Sequence, residues 1–337
     1  MYHTIPIGAL TQDQVSSVLR AAIAAPSLHN SQPWRLVCTR HSIELHADFD
    51  RALPAADPQG RALMLACGAA LLNMRVAIRA AGIQPTVRIL PNASEPTLVA
   101  TVSPDSPAVA HSTDLRLAAA IPQRHTNRRP FLDEPVPDAL RDELHRAARL
   151  ERSWMAAFSA AQLTKVRRLL LQAHHVQIND PEFVQEWRQW TGRPEDSADG
   201  VRTCNSGPLP EQHDMWTIRD FSAGTAHQRV TGKDFESEPL IVGIGSFGDI
   251  RLSHVHAGQA MQRLLLTATA HGVAASFLSQ LVEVPAVRHE LRAIMGGILY
   301  PQTVLRLGYG SPAPHTLRRE LSDVVSVCDN SIEVSHG

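Results

Sequence analysis

The chain has 337 residues, 44% of them hydrophobic and 19% charged, with a formal net charge of -1. This composition describes a globular chain long enough for two core-bearing units, and it offers no charge excess to attract a nucleic acid or an anionic membrane surface. The four cysteines (Cys38, Cys67, Cys204, Cys328) are far apart without redox or metal spacing, and the first residues lack a signal-peptide pattern, so a reducing cytoplasm is the expected location.

Val15, Val18, Leu19, Ala22 and Ile23 recur at helical spacing, which predicts an amphipathic helix over 12–24, ended by Pro26. Next comes Ala25-Pro26-Ser27-Leu28-His29-Asn30-Ser31-Gln32-Pro33-Trp34, rich in small, polar and proline residues. Such a run suits a loop that lays backbone N–H groups, a hydroxyl and amides along a flat polar ligand; a helix-ending loop with one anchoring Trp has the same composition. A strand pair is expected over 35–47, then a turn at Asp57-Pro58-Gln59-Gly60. The helix 61–81 is apolar nearly all round. Asn73, Arg75 and Arg79 make it a buried core helix and not a membrane span. Strands are predicted at 86–90 and 97–102, and the Pro- and Ser-rich 104–112 reads as a linker.

The second half opens on Arg124-His125-Thr126-Asn127-Arg128-Arg129. In an extended segment Arg124, Thr126 and Arg128 point the same way, which makes either a phosphate clamp or a solvated basic strand. Arg318-Arg319 is a second basic pair with the same two readings. An amphipathic helix follows Pro137, and its His145-Arg146-Ala147-Ala148 echoes Leu19-Arg20-Ala21-Ala22, 126 residues earlier. A second apolar helix over 257–270 ends in Thr269-Ala270-His271-Gly272, which echoes Arg79-Ala80-Ala81-Gly82 at a spacing of 190. Either the chain is a diverged duplication whose second copy gained 64 residues, or two amphipathic helix pairs look alike by chance. The extra residues, about 163–240, begin with helical pattern and continue as a long aperiodic run flanked by Trp187, Trp190, Trp216 and Phe221. Those aromatics argue against disorder and for a lid over a site.

Strands at 240–245 and 303–308 and a helix over 285–295 complete the pattern. Gly243-x-Gly245-x-x-Gly248 looks like a dinucleotide fingerprint, but mid-helix residues stand where the ribose-binding acid would be, so the glycines read as a strand end and turn. Neither His174-His175 nor His254-x-His256 has a Cys or acidic partner at ligand spacing, so no metal is expected.

The Pro-Ser-Leu-His-Asn-Ser-Gln-Pro-Trp loop resembles the flavin-contacting loop of the FMN-dependent nitroreductase family. Arg124 to Phe131 resembles that family's phosphate motif, and Arg318-Arg319-Glu320-Leu321 its C-terminal basic residues. The whole chain is most similar to the Acg-like branch of NAD(P)H nitroreductases. The resemblance implies an α+β nitroreductase-like fold in which two antiparallel-sheet and helix units, 1–112 and 113–330, form a tandem-fused pseudo-dimer with a lid. The first half has the loop without the basic motif; the second has the basic motifs without the loop. One composite FMN site in a monomer is therefore implied. On this resemblance Pro26, Ser27, His29, Asn30 and Gln32 line the flavin. Arg124, Thr126, Arg128, Arg318 and Arg319 hold its phosphate, and Gln280 and Leu281 stand where the family places a backbone N–H near the flavin ring. No side chain is required as acid, base or nucleophile. NAD(P)H is the implied electron donor and a nitroaromatic or quinone-like small molecule the acceptor. The alternative is a protein that stores or sequesters FMN under a closed lid.

Overall fold

The computed structural model describes residues 4–211, 214–216, 218–222, 224 and 239–328. Helix α1 (Gln12–Ile23) starts at Thr11, whose hydroxyl accepts from the Gln14 N–H while the Gln14 side chain accepts from the Thr11 N–H. Strands β1 (Trp34–Cys38) and β2 (Ile43–Ala47) form a hairpin, followed by α2 (Arg61–Ala80), β3 (Ile83–Ile89) and β4 (Leu98–Pro107). The stretch read as a linker is therefore partly strand. Pro104 pairs with Pro85 of the edge strand beside a register shift, where missing donors are tolerated. Helix α3 (Ser112–Ala120) leads to an extended segment and then to α4 (Asp138–Leu150), β5 (Trp154–Ala157), α5 (Ala160–Ile178) and α6 (Pro181–Trp190). The chain returns through β6 (Leu240–Ser246), α7 (Arg251–Ala270), β7 (Ala274–Phe277), α8 (Gln280–Glu283), α9 (Pro285–Ile294) and β8 (Tyr300–Gly308). It closes with α10 (Leu321–Val324) and β9 (Val325–Val327).

Two sheets result. One has the order β3-β4-β2-β1-β9, the other β5-β6-β8-β7. Apart from β9, the strands of the two sheets follow the same order with the same antiparallel sense. Strand β9 adds parallel to β1, so the end of the chain closes the sheet built by its beginning.

Between the sheets, α2 and α7 cross at backbone contact. A Cβ on Gly68 would lie 2.2 Å from the Val255 carbonyl oxygen, and one on Gly258 would lie 2.1 Å from that of Leu65. Only glycine permits that approach. Helix α2 is long and apolar enough to cross a membrane by length and composition, but here most of it is buried in the core. Gly243 and Gly245 lie inside β6, where added Cβ atoms would press on Met295 and Leu299; these glycines serve packing and not a phosphate turn.

Candidate functional site

The loop between α1 and β1 is held in a high-energy backbone conformation. His29, Asn30 and Gln32 have φ of 51°, 56° and 50°, in the left-handed region that costs a non-glycine residue about 1–2 kcal/mol. The surrounding contacts fix it. The Ser27 hydroxyl accepts from the Gln32 N–H at 2.9 Å, and Trp34 is fully buried beneath. The Gln32 amide donates to the Ala198 carbonyl (2.8 Å) and to Asp199 (3.0 Å), and accepts from the Arg319 N–H (2.9 Å). The Asn30 amide donates to the carbonyls of Ala198, Gly200 and Leu317. The two amides thus join the loop to the insertion and to the C-terminal segment.

A basic end adjoins this loop. The segment 124–128 runs beside β7 through a parallel bridge from Thr126 to Ala275, and alternate side chains diverge. Arg124, Thr126 and Arg128 line a space of about 370 Å³ together with Pro26, Ser27, Asn30, Arg318 and residues 200, 201 and 205 of the insertion. Asn127 and Arg129 turn away to the carbonyls of Ser311 (2.8 Å) and Pro312 (2.7 Å). Arg318 donates to carbonyls at the end of α1, including Ile23 at 3.1 Å. Burial lowers the pKa of Arg124 to about 10. It lowers Arg128 to about 10, with Arg219 adding repulsion, and Arg318 to about 9, with Arg124 adding repulsion. Among the described residues no carboxylate pairs with any of the three, and Arg124 Nε is buried without a partner. Buried cations without counter-charge destabilise a fold unless something anionic joins them.

Beyond Ser27 and Thr126 the space widens into a chamber of about 750 Å³, partly open to solvent. Leu65 and Ala66 of α2, Met261 of α7 and Phe277 of β7 give it apolar walls. Polar groups stand at its margins. Arg61, at the start of α2, donates to the carbonyls of Gln302 and Val282, and burial lowers its pKa to about 10. Glu283 pairs with Arg219 of the insertion at 3.2 Å and accepts from Gln177 at 2.7 Å. Burial opposes its ionisation, but Arg219 and the hydrogen bonds from Gln177 and Ser279 outweigh that and hold its pKa below the usual carboxylate range. His29 is buried, and burial pushes its pKa down to about 4. Its ring meets Trp187 and Phe221 edge-on at 5.3 and 6.3 Å, and Phe221 sits 4.3 Å from the Arg128 guanidinium.

Of the residues singled out in the sequence, Pro26, Ser27, His29, Asn30, Arg124, Thr126, Arg128 and Arg318 line one space or the other. Gln32 and Arg319 do not: Gln32 is consumed by backbone partners and the Asp199 carboxylate, and the Arg319 guanidinium donates to the Asp323 carbonyl. Gln280 and Leu281 are buried in α8, whose neighbours Ser279, Val282 and Glu283 face the chamber instead. Of the expected lid aromatics, Phe221 lines the chamber and Trp187 backs it. Trp190 stacks under Arg51, and Trp216 joins a separate core cluster with Val166 and Leu170. Sequence reading missed Arg61, Met261, Gln302 and Thr303, which stand at helix and strand positions with no local signature.

A cationic end opening into a chamber with apolar walls and charged margins suits an elongated ligand with an anionic tail. The nitroreductase family model matches residues 121–297, and the chain belongs to that family. A Mycobacterium tuberculosis H37Rv relative provisionally named an NAD(P)H nitroreductase, Rv3131, is 35% identical over 324 residues, covering 93% of this chain and 91% of the relative. Another protein of that strain, provisionally named the NAD(P)H nitroreductase acg, is 32% identical over 96% of this chain and 98% of its own length. Among solved structures, the FMN-dependent nitroreductase NfnB from Mycobacterium smegmatis in complex with NADPH aligns over 64% of this chain and 98% of its own. Its identity is 17% and its TM-score 0.39.

Proposed function

We propose that the chain is an FMN-dependent oxidoreductase that takes electrons from NAD(P)H and passes them to an electron-poor small molecule such as a nitroaromatic or a quinone. The observation that carries the reading is the cluster of Arg124, which is buried, with Arg128 and Arg318, which are half-buried, and with no carboxylate among the described residues to neutralise it. The residues present fit the group. The three guanidiniums would hold the phosphate, and the hydroxyls of Ser27 and Thr126 stand where the basic end meets the chamber. Leu65, Met261 and Phe277 offer the ring apolar surface. Bound FMN supplies the two-electron hydride chemistry; the chain supplies position and a site screened from water. Arg61 places a fixed positive charge at the chamber margin, where it favours a substrate or cofactor that gains negative charge on reduction.

The matching strand orders support a fused pseudo-dimer, with one half supplying the loop and the other the arginines, so that one chain completes the site. The insertion supports a lid, since Gly200, Val201 and Asn205 cover the basic end and Phe221 the chamber. That cover favours the second reading, retention of FMN without turnover. The test is an anaerobic absorbance titration of the yellow protein with NADPH and NADH. Bleaching of the oxidised-flavin band supports the reductase. Bleaching by dithionite but by neither nucleotide overturns it in favour of storage, and a colourless protein that takes up no FMN overturns both.

A further inference from the structure

Three spaces lie in sequence through the molecule. The basic end shares Pro26, Ser27, Thr126 and Arg128 with the chamber. On another side the chamber shares Arg61, Val282 and Glu283 with a third cavity of about 830 Å³, which has no wall residue in common with the basic end. A ligand whose anionic tail occupies the basic end therefore meets the third cavity at its ring end.

The third cavity lies between the turn before α2, helix α9 and the start of β8. Its charges are unequally spent. Arg288 grips Asp249 with two bonds of 2.8 and 2.6 Å and donates to the Pro301 carbonyl. Asp57 accepts from the Leu63 N–H at 2.9 Å at the start of α2. Arg292 has no carboxylate partner among the described residues: its guanidinium carbon sits over the Tyr300 ring at 3.7 Å, and its Nε is buried without a hydrogen bond. A guanidinium fixed on an aromatic face keeps its outer face for a second planar group and its free N–H fork for a phosphate.

We propose that this cavity receives the adenosine half of the nicotinamide dinucleotide, with the purine laid against the Arg292–Tyr300 stack and the 2′-phosphate bound by Arg292, so that the protein prefers NADPH to NADH. The inference rests on the flavin reading for the direction from which the dinucleotide comes, but its test does not. Adenosine 2′,5′-bisphosphate and adenosine 5′-monophosphate serve as probes in calorimetric titrations of the full chain as purified. Binding of the bisphosphate at least tenfold tighter than the monophosphate is expected, and Arg292→Gln, which also removes the stacking face, weakens both probes but abolishes that ratio, as for loss of one charge-assisted phosphate contact. In stopped-flow reduction the same variant raises the apparent Kd for NADPH about tenfold and that for NADH far less. Should Arg292→Gln fail to fold, Arg292→Lys keeps the charge without the fork and is expected to give an intermediate ratio. Equal binding of the two probes by the wild type, or equal losses for both dinucleotides in the variant, overturns the proposal. A colourless protein that still discriminates the probes overturns the flavin reading alone.

Discussion

The two halves handle buried arginines in opposite ways. Between α4 and β5 the second half has three residues, 151–153, and the first of them is Glu151. Its carboxylate is 5% exposed and bridges Arg75 at 2.6 Å and Arg263 at 2.7 Å, while the Gln259 side chain takes another Arg75 N–H. At the matching place in the first half, between α1 and β1, stand the ten residues 24–33, which carry no carboxylate and bend back on themselves. The arginines that meet this loop, Arg124, Arg128 and Arg318, have no counter-ion among the described residues. One loop neutralises its cations internally and forms core. The other leaves them charged and lines the candidate site. A site of this kind is an unfinished ion pair, and its ligand is the missing half.

The comparison breaks most visibly at Glu151. Glu151→Ala leaves two guanidiniums largely buried and unpaired, and about 3 kcal/mol of stability should be lost, as for one removed partner of a buried pair. Urea denaturation of the wild type and variant measures it. A loss under about 1 kcal/mol would show that solvent reaches these arginines after all.

His29 gives the next largest effect, and it depends on pH. Its folded pKa of about 4 lies below the ordinary 6.5, so the unfolded chain takes up the proton first as pH falls. The stability tied to neutral His29 is therefore present above pH 6.5 and is lost as pH drops toward 4, by roughly 3 kcal/mol. His29→Asn, a residue that tolerates the left-handed backbone, should flatten the fall in denaturation midpoint between pH 7 and pH 4.5. An unchanged slope would mean that another group titrates there.

The asymmetry was partly legible in the sequence. Pro26 to Trp34 reads as a ligand loop or a helix-ending loop, with Trp34 wasted on any surface turn, and the period-two pattern of Arg124, Thr126 and Arg128 puts the three on one face, as a phosphate clamp or a solvated strand. The roles of Asn30 and Gln32 were not legible. Their partners lie about 170 and 290 residues away, and an amide does not announce whether it will bind a ligand or a carbonyl. Arg61, Gln302 and Thr303 reach the chamber only because α2 and β8 end there, which is a property of packing. Strand β9 was hidden too, since three residues joining a sheet begun at residue 34 leave no local pattern.

Removing the unpaired cations should affect binding more than folding. Arg128→Ala or Arg318→Ala is expected to weaken FMN binding by about 1.5–3 kcal/mol each, as for a lost charge-assisted hydrogen bond. Flavin retained per chain after gel filtration gives the comparison, and equal occupancy in wild type and the double variant would remove the composite site. Arg124→Met should leave the flavin-free protein as stable as before or about 1 kcal/mol more so, because it deletes a buried charge without a partner. That sign is opposite to Glu151→Ala.

The smallest effect concerns the cover over the basic end. Asp199 of the insertion holds Arg51 at 2.6 Å and accepts from Gln32 at 3.0 Å, and the neighbouring Ala198 carbonyl takes both loop amides. Both charged partners are partly exposed, so the pair contributes at most about 1 kcal/mol. If residues 198–200 must lift before a phosphate can leave, Asp199→Ala removes that much from the closed state, and FMN release should quicken about fivefold. Stopped-flow trapping of released flavin by an excess of a second flavin-binding apoprotein reads the rate directly. A faster release with an unchanged denaturation midpoint assigns the contact to the cover. A shift of the midpoint with release unchanged would instead make 198–200 a fixed wall, past which the ligand leaves through the chamber.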